Sequence, residues 1–195
     1  MNYYELETGQ CVDDAGKAYH PEVSQKLEEA AFDCGFVEGG GLIDIDSLPT
    51  LFGARPKRTG RNSGPDAFEI LGPWTIVSER LKEVLTSVAE GYVQFAPFEI
   101  RSHDGKDVQD GYFAIRVVHR IECVDRTRTT VWNDDWKPKI NGTFKLNDPV
   151  VYSLSAMEGY PILTTQERFG FIVRDDVKEA LEPFVGLNFH QLMTS

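Results

Sequence analysis

The stretch "IVSERLKEVL" at residues 76–85 indicates the fold of this chain, because "IVRDDVKEAL" at residues 172–181 repeats its pattern. In each copy, two β-branched residues lead through a polar position into a short amphipathic helix that ends in Lys-Glu-apolar-Leu. The two copies begin 96 residues apart, at Ile76 and at Ile172. They predict two similar strand–helix–strand units packed around antiparallel sheet, and hence an α+β fold.

Ser78, in the first copy, could be a catalytic nucleophile or the cap of a helix. A nucleophile elbow needs small residues beside the serine, whereas "TIVSERL" has bulky ones. The second copy has Arg174 in place of the serine. Capping explains both copies, since a Ser78 hydroxyl can accept a bond from the first turn, and acids such as Glu79 and Asp175 favour the helix dipole. We therefore predict that Ser78 caps a helix.

The rest of the chain predicts further strands and one more helix. A helix is expected over 24–35, with Ser24 as its cap, and a strand or extended edge over 42–48. The clearest strand is 111–125, where apolar residues alternate with a polar face of Arg116, Arg120 and Glu122. Other predicted strands cover 2–8, 92–100, 143–148 and 150–157, and the approach to Ser78 predicts strand, turn and strand.

A polar stretch at 52–66 is the best internal boundary of the chain. It contains two Pro, three Gly and four bases, and it predicts a long loop. We expect an N-terminal lobe over 1–66 and an α+β region over 67–195, within one compact domain. The four bases could bind an anion, although a solvated loop explains them as well.

The composition favours an acidic partner-binding protein or simply an acidic, well-solvated one. A net charge of -11 repels nucleic-acid phosphates and anionic lipid, so neither is expected as a partner. The same charge would speed association with a basic protein. No apolar run is long enough to span a membrane, no signal-peptide pattern opens the chain, and the three cysteines lack CxxC spacing. We expect a reduced, cytoplasmic protein.

Metal and cofactor sites are not predicted. On one strand, His119 and Cys123 would lie about 13 Å apart, which is too far for one zinc ion. The glycines of "VEGGGL" lack the Lys-Ser/Thr of a P-loop and predict a turn. Residues 103–111 resemble a calcium loop superficially, with Asp104, Asp107 and Asp110, but they lack its spacing and its closing glutamate. We expect a hairpin connection there.

The segment "VWNDDWKPKING" at 131–142 is the best sequence candidate for a partner-binding patch. Two tryptophans flank a pair of acids, and Pro138 and Gly142 predict a loop. Tryptophan is enriched at interface hot spots, and paired acids suit a basic partner. Burial of both indoles beneath the loop is an equal alternative. The predicted partner-binding residues, which include two acids of the hairpin, are Trp132, Asp134, Asp135, Trp136, Asp104 and Asp107.

The blocks from "GPDAFEILGPWTIVSERLKEVL" to "GYVQFAPFEI" resemble the Imm11 immunity-protein family, formerly a domain of unknown function. The later blocks "YFAIRVVHRIECVDRT", "VYSLSAMEGYPILTTQERF" and "VKEALEPFVGLNFHQL" follow in the family's order, so the resemblance covers roughly 67–192. It implies a bacterial immunity protein that binds and blocks a secreted antibacterial toxin and has no enzymatic residues. The expected toxin is a nuclease with a basic surface, delivered by type VI or another contact-dependent secretion.

An enzyme or small-ligand domain is the alternative, with a site assembled from residues distant in sequence. His103 or His119, paired with Asp104 or Glu122, would be the first candidates. A deep polar pocket that holds such a pair would favour this alternative. A convex acidic face without one would favour the immunity protein.

Overall fold

A computed structural model describes residues 1–9, 11–12, 18–19, 24, 40–54, 66–69, 75–131, 144–167 and 170–195. In chain order, the strands of this part are β1 (Tyr3–Thr8), β2 (Cys11–Val12), β3 (Ala18–Tyr19), β4 (Leu51–Ala54), β5 (Ala67–Glu69), β6 (Thr75–Ser78), β7 (Val93–Arg101), β8 (Val108–Val117), β9 (Arg120–Ile121), β10 (Val151–Tyr152), β11 (Ile162–Thr165), β12 (Phe171–Arg174), β13 (Leu187–Gln191) and β14 (Met193–Thr194). The helices are a 3-10 turn (Ile45–Ser47), α1 (Glu79–Val88), α2 (Leu154–Met157) and α3 (Asp175–Leu181).

Two five-stranded sheets organise the described residues. The N-terminal sheet has the order β4-β7-β8-β6-β5, and the C-terminal sheet has the order β13-β1-β12-β11-β9. Most neighbouring strands are antiparallel; the parallel pairs are β4 with β7, β9 with β11, and β10 with β14. The predicted α+β class is confirmed. Among the described residues, no helix is both long and apolar enough to cross a membrane.

The sequence repeat corresponds to two split β-α-β units. In the first unit, β6 and β7 flank β8 and run antiparallel to it; in the second, β12 and β13 flank β1 in the same way. Val77 pairs with Phe113 across the first unit, and Val173 pairs with Tyr4 across the second. In the first unit, the central strand is β8, which comes after α1 and β7 in the chain. In the second unit, the central strand is β1, which comes from the start of the chain.

Strand pairing also shows which residues of the two copies correspond after the helices. Phe95 of β7 pairs with Ile115, and Phe189 of β13 pairs with Leu6. Phe95 and Phe189 therefore correspond, at a spacing of 94 residues instead of 96. α3 has seven residues where α1 has ten, and the turn that follows has five residues (182–186) instead of four (89–92), so the second helix and its turn together are shorter by two residues. This difference explains why the sequence alignment of the copies slips after the helix.

The two helices begin with different caps. The Ser78 hydroxyl accepts a hydrogen bond from the Leu81 amide at 3.3 Å, which confirms the predicted cap. The same hydroxyl donates to an Asp66 carboxylate oxygen at 2.8 Å. At the start of α3, Arg174 makes no side-chain cap; its guanidinium instead donates to both carboxylate oxygens of Asp176 at 2.7 Å each. Ser78 is therefore a scaffold residue.

A shared core joins the two units. It contains Val77, Leu81 and Leu85 from the first unit with the equivalent side chains of the second, and α1 packs against α3. Two further clusters cover the other faces of the sheets. One lies under the segment around the 3-10 turn, and the other lies under the segments that contain Tyr152 and Met157. Each sheet is therefore buried on both faces over much of its area.

The prediction of one strand over 111–125 is wrong. β8 ends at Val117, and the chain then crosses to the other sheet, where β9 covers Arg120–Ile121. Arg116, predicted on the polar face, is only 3% exposed. Its guanidinium donates to the carbonyls of Gly41 at 2.7 Å and Gly40 at 3.0 Å. The alternating pattern could not reveal this, because the covering segment is distant in sequence.

Two predictions before residue 67 also need correction. Residues 42–48 contain a 3-10 turn instead of a strand, and the Asp44 side chain accepts from the Asp46 amide at 3.2 Å. The predicted loop over 52–66 begins too early, because β4 continues to Ala54. Residues 55–65, which carry the four bases, lie outside the described residues, and so does the predicted helix over 24–35 apart from Ser24. Of the glycines predicted to form a turn, Gly40 and Gly41 have positive φ of 85° and 76°, while residues 37–39 lie outside the described residues.

Two predicted strands in the C-terminal half are mostly not strands. Within 143–148, the described residues make one isolated bridge, between Leu146 and Val131. Within 150–157, only β10 is extended, and helix α2 follows it directly. The predicted strands at 2–8 and 92–100 and the strand, helix and strand after 170 are confirmed.

Candidate partner-binding surface

The residues on either side of the predicted tryptophan loop are described, and they pair with each other. Trp132, Asp134, Asp135 and Trp136 themselves lie outside the described residues and stay predictions. On either side of them, Val131 and Leu146 form an antiparallel bridge, and the Asn147 amide donates to the Thr130 carbonyl at 3.0 Å. The Phe144 amide donates to the Glu167 carbonyl at 2.8 Å. The ends of the segment are thus held close together, beside the end of β11.

Asp104 and Asp107 lie in the predicted hairpin connection, between β7 and β8. Asp104 accepts hydrogen bonds from the Ser102 hydroxyl at 2.7 Å and from the Lys106 amide at 3.3 Å. The Ser102 bond is the largest cause that lowers the pKa of Asp104. The Asp107 amide donates to the Ser102 hydroxyl at 3.0 Å. Both residues shape the turn, and their role in partner binding stays a prediction.

The candidate acid–base pairs of the enzyme alternative are not formed in the described part of the chain. His119 packs between two tyrosine rings, and Glu122 lies 3.5 Å from Arg126. Asp104 makes the turn contacts given above, and His103 shares no described hydrogen bond with it. Within the described ranges, no group of three or more His, Cys, Asp or Glu side chains could hold a metal ion.

A cavity between the two units offers no polar chemistry of the kind that the enzyme alternative requires. Its lining comes from the shared core and the strands around it: Leu6, Thr8, Ala67, Thr75, Val77, Leu81, Leu85, Ile115, Ile162, Phe171, Leu181 and Leu187. Two threonine hydroxyls are the polar side-chain groups of this lining. The cavity therefore contains no His–carboxylate pair.

Five of the eleven described lysines and arginines lie against aromatic rings. The Lys82 ammonium is 3.7 Å from the centre of the Phe113 ring, and the Lys178 ammonium is 5.1 Å from that of Tyr4. These two pairs occupy equivalent places in the repeat. Arginines lie in the same way over Phe184, Phe52 and Phe144. Such contacts hold the positive charges close to the protein surface.

Acidic side chains, by contrast, project from the paired helices. Glu79 and Glu83 of α1 and Glu179 of α3 are exposed, and none of these three enters an ion pair among the described residues. Asp175 of α3, which corresponds to Glu79, is half-buried. We call these four residues the acidic helical face. The 96-residue repeat aligns them in sequence, but it could not indicate that α1 and α3 lie side by side.

The described residues thus combine exposed acids on two paired helices with an interior cavity that lacks a His–carboxylate pair. The model of the immunity protein family Imm11 matches residues 9–189. Because the match covers most of the chain, the chain belongs to the Imm11 immunity protein family.

Family membership confirms the resemblance and extends it into the N-terminal third, from residue 9. It indicates an immunity role and implies that the chain binds a cognate toxin. No curated protein sequence matches the chain.

Proposed function

We propose that this chain neutralises an antibacterial nuclease toxin by binding it directly, without catalysis, in the cytoplasm of the cell that it protects. We further propose that the toxin is delivered by type VI or another contact-dependent secretion system. The placement of charge is the observation that carries the proposal. Three acids of the acidic helical face, Glu79, Glu83 and Glu179, make no ion pair among the described residues, while five of the eleven described lysines and arginines lie against aromatic rings.

A nuclease supplies the complementary surface. Proteins that neutralise phosphates do so with lysine and arginine, so the nucleic-acid cleft of a nuclease is basic. An acidic protein would be attracted to this cleft and would bind faster than a neutral one, with the gain falling as salt rises. Occupation of the cleft would exclude nucleic acid.

Co-expression tests neutralisation. The product of the adjacent toxin gene would be induced in a host cell with this chain or with the same gene carrying an early stop codon. We expect growth and a stable complex only with the intact chain. Equal killing in both strains would contradict neutralisation. Intact nucleic acid in cells that the toxin alone has killed would contradict the nuclease assignment and leave neutralisation standing.

Charge reversal tests the predicted tryptophan loop. Lysine in place of Asp134 or Asp135 should slow association with the toxin several-fold at low salt, because steering weakens. The effect should shrink at high salt, since the Debye length falls from about 10 Å at 0.1 M to about 3 Å at 1 M. Association and dissociation rates measured by surface plasmon resonance at several salt concentrations would check this.

The matched control for the loop is Asp46→Lys, an equal change of charge at an exposed acid of the 3-10 turn. Its association rate should stay closer to that of the original chain. Rates for Asp134→Lys that match those of the control would remove the loop from the interface.

A further inference from the structure

Three aromatic side chains that are distant in sequence meet where the two units join. Tyr92 follows α1, His119 lies where the chain crosses between the sheets, and Tyr160 follows α2. The His119 ring centre is 4.9 Å from that of Tyr92 and 5.2 Å from that of Tyr160. The two tyrosine rings are perpendicular, with centres 6.3 Å apart. We call these three residues the aromatic cluster.

The polar ends of the aromatic cluster have little to bind within the described chain. All three side chains are half-buried. The Tyr92 hydroxyl donates to the Gly159 carbonyl at a long 3.4 Å. Among the described residues, the His119 ring nitrogens and the Tyr160 hydroxyl make no hydrogen bond. Aromatic residues with a packed ring and an unused polar end are typical of protein interfaces.

Exposed acids lie close in the chain to both tyrosines of this cluster. Glu90 and Glu158 each lie two residues before a tyrosine of the cluster, and Asp176 lies in the first turn of α3. Glu158 directly precedes Gly159, whose carbonyl accepts the hydrogen bond from the Tyr92 hydroxyl. Asp176 is already paired, because the Arg174 guanidinium donates to both of its carboxylate oxygens at 2.7 Å each. Glu90 and Glu158 make no ion pair among the described residues, and we call these two acids the rim of the cluster.

The equivalent junction on the other side of the molecule is built differently. There, the Asp66 carboxylate accepts from the Ser78 hydroxyl, the Arg80 guanidinium and the Val185 amide, at 2.8, 2.8 and 3.1 Å. Hydrogen bonds to one carboxylate therefore join the two units there. At the start of α3, the Arg174 amide donates a hydrogen bond to the Pro161 carbonyl at 2.9 Å, so a backbone bond holds this end of β12 as well. Joining the two units does not by itself require an aromatic cluster.

We propose that Tyr92, His119 and Tyr160 form the centre of the toxin-binding surface and receive an arginine or lysine side chain of the toxin. This inference rests on the proposed function and deepens it. The cation would lie against the tyrosine rings, and the acids of the rim would pair with its charge. An aromatic centre with a polar rim is the arrangement that concentrates binding energy in protein interfaces.

Truncation of the tyrosines tests the centre. Tyr92→Ala and Tyr160→Ala should each raise the Kd for the purified product of the adjacent toxin gene at least about tenfold, mainly through faster dissociation. The matched control is Tyr112→Ala, which removes an equally half-buried tyrosine from the outer face of the N-terminal sheet. Its Kd should change by less than about twofold. Thermal unfolding of every variant separates loss of binding from loss of fold.

Charge reversal tests the rim without touching the core. Glu158→Lys changes an exposed residue, so the chain should fold normally even if a tyrosine variant does not. It should slow association several-fold at low salt, more than Asp46→Lys does. If the original chain does not bind the toxin, the proposed function itself is wrong. If it binds, and Glu158→Lys and the folded tyrosine variants match their controls, the function stands and this inference is wrong.

Discussion

Replacement of Asp66 by alanine should lower the free energy of unfolding by about 3 kcal/mol, because it leaves three hydrogen-bond donors without their acceptor. These donors belong to Ser78, Arg80 and Val185, so one carboxylate ties the start of α1 to the turn after α3. The side chain is only 14% exposed, and water cannot fully replace it. The midpoint of thermal unfolding should fall by roughly 6–12 °C.

Two substitutions serve as comparisons for Asp66→Ala. Ser78→Ala removes the helix cap and one of the three donors, and should cost about 1 kcal/mol. Asp104→Ala removes an exposed acid of the hairpin turn and should change the unfolding midpoint much less. An Asp66→Ala protein that unfolds at the same temperature as Asp104→Ala would contradict the role assigned to this carboxylate.

The Asp66 contribution should also depend on pH. Burial raises the pKa of Asp66, but hydrogen bonds from Ser78, the Val185 amide and Arg80 and the charge of Arg80 outweigh burial and lower it. A lowered pKa in the folded state means that stabilisation is present above the unfolded value of about 3.9. It is lost as pH falls through the folded pKa. Urea unfolding at pH 7 and pH 3 should show a smaller difference between Asp66→Asn and the original chain at pH 3.

Replacement of Arg116 by methionine should lower the free energy of unfolding by about 2–4 kcal/mol. Methionine retains much of the apolar stem and removes the guanidinium. That guanidinium donates to the Gly40 and Gly41 carbonyls, and so holds the segment that covers the outer face of the N-terminal sheet. The side chains brought onto this face include Ile43, Ile45 and Leu48. Urea unfolding checks the prediction.

Arg120→Met is the matched control, since Arg120 is half-buried and its described bonds to carbonyls are long, at 3.4 and 3.3 Å. It should cost less than about 1 kcal/mol. Arg116→Lys should fall between the two, because one ammonium cannot reproduce the planar fork that reaches two carbonyls. Equal unfolding midpoints for Arg116→Met and Arg120→Met would show that the buried guanidinium is not the anchor.

Local features of the fold could be predicted from the sequence. The strand–helix pattern within each copy of the repeat, the Ser78 cap and the hairpin at Asp104 each depend on residues a few positions apart. The structure confirms all three. The family could be recognised for the same reason, from the order of short blocks. The partner-binding loop at 132–136 also came from a local pattern, and it stays a prediction.

Features made by distant segments could not be predicted. Alternation over 111–125 indicated which residues share a face, but it could not indicate that residues 40–48 cover the face that contains Arg116. The aromatic cluster joins residues 92, 119 and 160, which belong to no common motif. Individually, each of its members is an ordinary partly buried aromatic residue.

The amino-acid sequence alone establishes an acidic α+β chain with a repeated strand–helix–strand unit and a resemblance to an immunity-protein family. Hydrophobic periodicity, capping and charge act over short distances, so they can be interpreted without the fold. The folded structure adds that β1 completes the second unit, that α1 and α3 pair, and that their ends form two different junctions. These outcomes depend on which surfaces bury best against each other, and contacts between segments far apart in the chain decide that.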